Sequence, residues 1–121
     1  MATRKVAALY DAALEQTGVT IAQFALLRHI ERRQPVSLSE LGRALALDRS
    51  TMGRNIRVIE KLGLVVTERG DDQRESVVSL TEHGTAVLGE AEPLWRDCQD
   101  EVAKRIGAER LRVLGEINRL L

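Results

Sequence analysis

The sequence predicts a mainly α-helical fold with one small β-hairpin, and three observations lead to this. Apolar residues recur at helical spacing along most of the 121 residues. Serine, threonine and aspartate stand at cap positions in front of several of these stripes. Two segments rich in valine, serine and threonine flank a polar loop, a composition typical of paired strands. We therefore predict four helices, a hairpin, a long helix and a last helix.

The N-terminal part of the chain should form two helices. The first runs from about Thr3 to Gln16 and ends at Gly18, since glycine commonly follows a helix. Thr20 and Gln23 have the spacing of a capping box, which predicts the start of the second helix, and Pro35 closes that helix. The apolar stripes are Val6, Leu9, Tyr10, Ala13 and Leu14 in the first helix, and Phe24, Leu27 and Ile30 in the second.

Two further helices should follow with a very short turn between them. Ser37 and Glu40 have the spacing of a second capping box, which opens a short third helix. Leu45-Ala46-Leu47 then separates that helix from Asp48, the predicted N-cap of a fourth helix that ends at Gly63. The inward residues are Leu38, Leu41 and Leu45 in the third helix, and Met52, Ile56, Ile59 and Leu62 in the fourth.

The C-terminal half begins with the hairpin. Leu64–Arg69 and Ser76–Leu80 are the predicted strands, and the loop between them is polar enough to project into water. Thr81 should cap a long helix that reaches about Ile106, with a kink or loosened turn at Pro93. Gly107 separates it from a last helix, whose apolar residues are Leu111, Leu114, Ile117 and Leu121.

Composition restricts the class of protein. The 18 basic and 18 acidic residues cancel, so only a local patch could favour nucleic acid. A single cysteine, Cys98, excludes an intrachain disulfide and a zinc site of several cysteines. No stretch has the length of a membrane span or the pattern of a signal peptide. We expect one soluble cytoplasmic domain, without a metal or other cofactor.

The middle of the chain suggests DNA binding. A helix pair with a very short turn, followed by a polar hairpin, is the layout of a winged helix-turn-helix, whose second helix enters the major groove. Five basic and two acidic residues between Arg43 and Lys61 leave a local charge of +3. The residues opposite the apolar face of the fourth helix are Arg49, Ser50, Thr51, Gly53, Arg54, Asn55, Arg57 and Lys61.

These residue types fit base and phosphate recognition. Arginine pairs with guanine and asparagine with adenine, which gives Arg54 and Asn55 candidate reading roles, and Gly53 has no side chain to hold the groove wall away. At the hairpin tip Arg74 could enter the minor groove while Asp72 holds it extended. The alternative is that the helix face is merely solvated and that Asp72 and Arg74 are ordinary turn residues.

Several motifs together resemble the MarR family of bacterial regulators. They are the stretch from Leu41 to Ile56, Glu60-Lys61-Leu62-Gly63-Leu64-Val65, Asp72-Gln73-Arg74, Leu80-Thr81-x-x-Gly84, and Thr20-x-x-Gln23-Phe24-x-Leu26-Leu27. The resemblance implies a homodimer that places two recognition helices in successive major grooves of a pseudo-palindromic operator. It also implies repression that a small molecule or an oxidant relieves.

The resemblance divides the chain by role. Residues 20–80 would form the winged helix-turn-helix, and residues 1–18 and 81–121 the dimerisation helices, within a single domain of residues 1–121. Asp72 would support the wing. The expected DNA contacts are Ser37, Arg49, Ser50, Thr51, Arg54, Asn55, Arg57 and Arg74.

The residues themselves also favour a dimer. The apolar stripes of the terminal helices exceed what so small a DNA-binding region can cover, and a partner subunit would bury them. A three-helix cap within one chain is the alternative. The stripes are Val6–Leu14, then Leu94, Trp95, Cys98, Val102 and Ile106, and finally Leu111–Leu121.

The sequence indicates less clearly which residues would control DNA binding. Tyr10, His29 and Trp95 are candidates to line an effector pocket, each with plain packing as the alternative. Cys98 suggests a thiol-based redox sensor as an alternative function, although a single cysteine on an apolar face is usually inert.

Two other classes of protein fit the sequence less well than a regulator does. The sequence has no phosphate-binding glycine loop, no nucleophile elbow and no distinctive carboxylate pair, so we do not expect an enzyme. A winged helix that binds protein instead of DNA should lack Arg54, Asn55 and the wing arginine together, whereas this chain has all three.

Overall fold

The computed structural model describes residues 2–70, 75–106 and 115 of the chain. These residues divide into two compact units, one made of residues 2–26 and 88–106 and the other of Leu27–Val87. The mainly helical prediction with a small sheet is confirmed. The helices are α1 (Ala2–Leu14), α2 (Ile21–Arg33), α3 (Leu38–Leu45), α4 (Arg49–Lys61) and α5 (Glu82–Ile106), and the strands are β1 (Val36–Ser37), β2 (Val65–Arg69) and β3 (Ser76–Leu80).

Local capping explains where these helices begin. Thr20 Oγ1 accepts the N–H of Gln23 at 3.2 Å, and Gln23 Oε1 accepts the N–H of Thr20 at 2.9 Å, a reciprocal capping box in front of α2. Ser37 Oγ accepts the N–H of Glu40 at 3.1 Å and begins α3. Both predicted helix starts are confirmed, because each depends only on residues three positions apart.

The three strands form one antiparallel sheet in the order β1-β3-β2. The hairpin prediction is confirmed, with Val65 opposite Leu80 and Arg69 opposite Ser76. Strand β1 was not predicted; it places Val36 opposite Val78, and both side chains are buried. A two-residue strand between a proline and a helix cap is too short to show an alternating pattern.

The apolar face of α4 packs into the core of the unit Leu27–Val87. Met52, Ile56 and Ile59 are almost fully buried, and burial of each aliphatic side chain contributes about 1.5–3 kcal/mol. The prediction was wrong for Leu62, which is 46% exposed. Leu62 is the C-cap, just beyond the last helical residue, so it lies outside the stripe that the first three define.

A tight junction holds the hairpin against the end of α4. Gly63 follows α4 with φ = +78°, a left-handed conformation that favours glycine. The hydroxyl of Thr81 donates to the carbonyl of Gly63 at 2.6 Å and accepts the N–H of Gly84 at 2.9 Å, which caps α5 as predicted. A Cβ at Gly84 would overlap the carbonyl group of Leu64, so only glycine allows this approach.

The other unit is built on α1 and the C-terminal part of α5. Val6, Tyr10 and Val102 form a buried cluster, and Phe24 packs on Trp95 with ring centroids 5.8 Å apart. Helix α5 runs without a break through Pro93, where an interruption was predicted. The predicted last helix, after Gly107, falls outside the described residues except for Gly115, which is helical. No helix in the described ranges has the length and apolarity needed to cross a membrane.

Candidate nucleic-acid interface

The turn between α3 and α4 is compact because its backbone folds back on α3. Ala46 caps α3 with φ = +55°, and the N–H of Leu47 donates to the carbonyl of Gly42 at 2.9 Å. A Cβ at Gly42 would stand 2.9 Å from the carbonyl oxygen of Leu47, so the glycine allows this close turn. The result is the short helix-turn-helix that the sequence predicted.

Asp48 fixes the N-terminal end of α4. Its Oδ1 accepts the N–H of Thr51 at 2.8 Å, and its Oδ2 accepts the Thr51 hydroxyl at 3.1 Å. These two hydrogen bonds, aided by the nearby Arg54 charge, lower the pKa of the Asp48 carboxyl. Asp48 therefore stays ionised beside the positive end of the helix dipole, as an N-cap should.

Thr51 also connects the Asp48 cap to Arg54, which the sequence predicted to read bases. The guanidinium of Arg54 donates to the Thr51 hydroxyl at 3.3 Å, while that hydroxyl donates to Asp48. Arg54 is exposed, and its side chain lies along the first turns of α4. The chain of contacts from Asp48 through Thr51 to Arg54 orients a cation at the outer face of α4.

The outer face of α4 is mainly polar and cationic. Thr51 and Gly53 are half-buried there, and the other predicted contact residues on α4 are exposed. Because arginine side chains reach several ångströms from the helix, these residues can meet both bases and phosphates of a groove. The exposed polar residues are Arg49, Ser50, Arg54, Asn55, Arg57 and Lys61.

A hydrogen bond that the sequence did not reveal joins α4 to the hairpin. The hydroxyl of Thr67 in β2 donates to the Glu60 carboxylate of α4 at 2.7 Å, so the acidic residue on this helix is engaged with the sheet. At the other side of the sheet, Gln34 Oε1 accepts the N–H of Leu80 in β3 at 2.8 Å. No local motif marks these residues, since their partners are distant in sequence.

Ser37 does not suit the contact role that was expected of it. Its side chain is 6% exposed and its Oγ serves as the cap of α3. We therefore leave Ser37 out of the proposed contacts. In contrast, sequence reasoning missed Val58, which is 50% exposed and lies one turn beyond Arg54 on α4.

A backbone hydrogen bond closes the base of the hairpin loop. The N–H of Gly70 donates to the carbonyl of Glu75 at 3.0 Å, which closes the loop just after β2 and just before β3. Asp72 and Arg74 lie outside the described residues, so their roles stay predictions.

The three candidate pocket residues belong to different units. Tyr10 and Trp95 contribute to the cluster around Val6 and Val102 in the unit made of residues 2–26 and 88–106. The Tyr10 hydroxyl has no hydrogen-bond partner among the described residues, and burial, with a smaller effect of Cys98, raises the pKa of Tyr10 to about 12. His29 lies in the other unit, where its Nδ1 is 2.9 Å from an Arg33 guanidinium nitrogen.

A shallow apolar groove of about 400 Å³ runs between α1 and α5. Cys98 stands in it, half-buried, and burial together with the nearby Glu101 carboxylate raises the pKa of the Cys98 thiol. A protonated thiol is a poor nucleophile, which argues against a reactive sensor cysteine. The groove is lined by Leu9, Ala13, Leu94, Asp97, Cys98, Glu101, Val102 and Arg105.

Comparisons with known proteins agree with this architecture. A family model described as the MarR family matches residues 17–75. An HTH-type transcriptional regulator of Bacillus cereus is 34% identical over 80 residues, which are 66% of this chain and 53% of the relative. The chain thus spans about half the length of the curated relatives it matches.

Solved structures cover more of the chain. The M. tuberculosis transcriptional regulator MosR in complex with DNA is 35% identical, with a TM-score of 0.81 over 98% of this chain and 87% of that one. A cysteine-to-serine mutant of E. coli MarR complexed with operator DNA is 25% identical, with the same TM-score of 0.81 over 97% of this chain and 85% of the other.

Proposed function

Because the chain belongs to the MarR family of transcriptional regulators, we propose that it binds duplex DNA sequence-specifically through the outer face of α4. The observation that carries this proposal is the segregation of charge on that helix. Its inner face is apolar and buried, whereas its outer face carries Arg49, Arg54, Arg57 and Lys61. In a chain with no net charge, such segregation creates a local positive surface for an anionic partner.

The side chains divide by chemistry into readers and anchors. Arg54 and Asn55 are the readers, because bidentate pairing of arginine with guanine or asparagine with adenine discriminates by about 1–3 kcal/mol. Ser50 and Thr51 stand in the first turn of α4, where short hydroxyls and the helix dipole favour a phosphate. Arg49, Arg57 and Lys61 anchor the DNA backbone.

The wing extends the same surface. The Glu60–Thr67 hydrogen bond fixes β2 against α4, so the hairpin has a set direction relative to the recognition helix. We propose that Arg74 reaches the minor groove beside the groove that α4 occupies, and that Asp72 holds Arg74 extended. The family resemblance supports both roles, as does the position of Asp72 and Arg74 between β2 and β3 in the sequence.

The family resemblance also supports a mode of regulation. We propose a homodimer on a pseudo-palindromic operator, which acts as a repressor that a small-molecule ligand releases. The aromatic rings of Tyr10 and Trp95, which lie in the same unit, are the side chains we propose for the effector site. The cytoplasm is the compartment in which such a regulator meets DNA.

The decisive experiment measures DNA binding of the full chain by fluorescence anisotropy. The probe is a duplex enriched by the chain from a randomised pool, and a scrambled duplex of the same composition is compared with it at two salt concentrations. We expect tighter binding to the enriched duplex and weaker binding at higher salt, since counterions are released.

A pair of arginine variants makes the test specific for α4. Arg54→Ala should lose about 1–3 kcal/mol of binding free energy and discriminate less between the two duplexes. Arg96→Ala is the matched control, because Arg96 is an equally charged, exposed residue of α5 that pairs with Glu92 at 3.6 Å. Absence of binding to any duplex at low salt would favour a winged helix that recognises protein instead. Equal losses in both variants would contradict the reading role of Arg54.

A further inference from the structure

Gly53 has no structural reason to be glycine. Its φ is not in the left-handed region, and a Cβ built on it would meet no heavy atom within 4 Å. Glycine inside a helix is nevertheless less favourable than alanine by about 0.8–1 kcal/mol. Other glycines of this unit differ, because Gly63 has positive φ and a Cβ at Gly42 or Gly84 would approach a backbone carbonyl.

The position of Gly53 on α4 suggests what the missing side chain would obstruct. Arg49 and Arg57 lie four residues before and after it on the same side of the helix, and both are exposed. With a rise of about 1.5 Å per residue, the two arginines are about 12 Å apart along the axis and Gly53 is midway between them. Gly53 therefore leaves a position without a side chain between Arg49 and Arg57.

The dimensions of DNA make such a gap useful. The major groove is about 12 Å wide, and an α-helix with its side chains is about 10–12 Å in diameter. A helix seated in the groove has little room to spare, so one Cβ on the inward side can set how deeply the backbone enters. Glycine is the residue that permits a close backbone approach to a ligand.

We propose that Gly53 is a positioning residue for DNA recognition, which lets the backbone of α4 approach the DNA between Arg49 and Arg57. This inference rests on the proposed function. It explains why the chain keeps an unfavourable residue in the middle of its recognition helix. It also separates two effects of one substitution, since alanine at this position should stabilise the protein and weaken its DNA complex.

The test compares three variants of the full chain on the enriched duplex. Gly53→Ala should melt about 3–6 °C higher than wild type and bind the duplex about tenfold more weakly. Gly53→Leu, which also suits a helix, should bind more weakly still without melting below wild type. Gly89→Ala is the control, because a Cβ built on Gly89 in α5 would also meet no heavy atom within 4 Å; it should melt higher with unchanged affinity.

Each result bears on the proposal. Unchanged affinity of Gly53→Ala would overturn it, and so would a lower melting temperature of that variant, which would mean that the new Cβ strains the protein itself. Equal affinity losses in Gly53→Ala and Gly89→Ala would also overturn it. If wild type itself bound no duplex, the proposed function would fall and this inference with it.

Discussion

At the scale of single residues, the chemistry of α4 depends on which hydrogen bonds its polar side chains already make. The Thr51 hydroxyl donates to Asp48 and accepts from Arg54, and it therefore orients the arginine before DNA binds. Ser37 is committed to the cap of α3 and is buried. The residue types predicted a DNA contact for both Thr51 and Ser37. The exposed fraction of each side chain and its hydrogen bonds distinguish the two.

The cysteine should not respond to oxidants. Because burial and Glu101 raise the pKa of the Cys98 thiol, the reactive thiolate is scarce at neutral pH. We expect hydrogen peroxide to leave the affinity for the enriched duplex unchanged, in wild type and in Cys98→Ser alike. Anisotropy titrations before and after peroxide check this. A loss of affinity in wild type that Cys98→Ser prevents would instead favour a redox-sensing regulator.

At the scale of elements, the N-terminus of α4 should weaken in acid. The pKa of Asp48 is lower in the folded chain than in the unfolded one, since Thr51 hydrogen bonds favour the carboxylate. Its contribution to stability is thus complete above the unfolded pKa of about 3.9 and is lost as the pH falls through the folded pKa.

The variant Asp48→Asn isolates this contribution, because asparagine also caps a helix but does not titrate. We expect the urea midpoint of wild type to exceed that of Asp48→Asn at pH 7. This difference should vanish well below pH 3.9, since about 3.9 is the pKa of an aspartate in the unfolded chain. Every other carboxyl is common to both proteins and cancels. A difference that does not change with pH would show that the charge of Asp48 contributes nothing to the cap.

Local elements could be predicted from the sequence, and distant pairings could not. The starts of α2 and α3 follow from cap residues three positions apart, and the inner face of α4 follows from helical periodicity. Strand β1 and the Glu60–Thr67 bond join segments that only the tertiary fold brings together. Leu62 was misplaced because the helix ends one residue before it.

The candidate site shows the same division. The cationic face of α4 could be predicted, since charge and periodicity are both local. Burial of Ser37 and exposure of Val58 could not, because they depend on how neighbouring elements cover α4 and α3. In the sequence Gly53 is only an absent side chain, and the open space beside its Cα depends on how the chain folds around α4.

At the scale of the whole molecule, the apolar groove between α1 and α5 bears on how the chain assembles. Leu9, at one side of the groove, is 42% exposed, and charged residues such as Glu101 and Arg105 stand beside the apolar ones. An apolar strip with a charged border is typical of a protein interface. In a symmetric dimer, the same strip of each subunit would be covered by its partner.

We therefore expect the chain to sediment at twice its monomer mass and to bind the enriched duplex with two chains per duplex. Leu9→Lys should weaken the dimer at least tenfold, because it would place an unpaired charge in an apolar interface. Val66→Lys is the matched control, since Val66 is 41% exposed but lies on β2; it should remain dimeric. Analytical ultracentrifugation across a concentration series measures both.

The expected dimer would determine the spacing of the two half-sites in the DNA. Two copies of α4 related by a twofold axis require half-sites one helical turn apart, about 34–36 Å between centres. If Leu9→Lys yields monomers, its affinity should fall toward that of a single half-site, and insertion of five base pairs between half-sites should lower the wild-type affinity. A monomeric wild type, or a Leu9→Lys protein that remains dimeric, would mean that this groove is not a dimer interface.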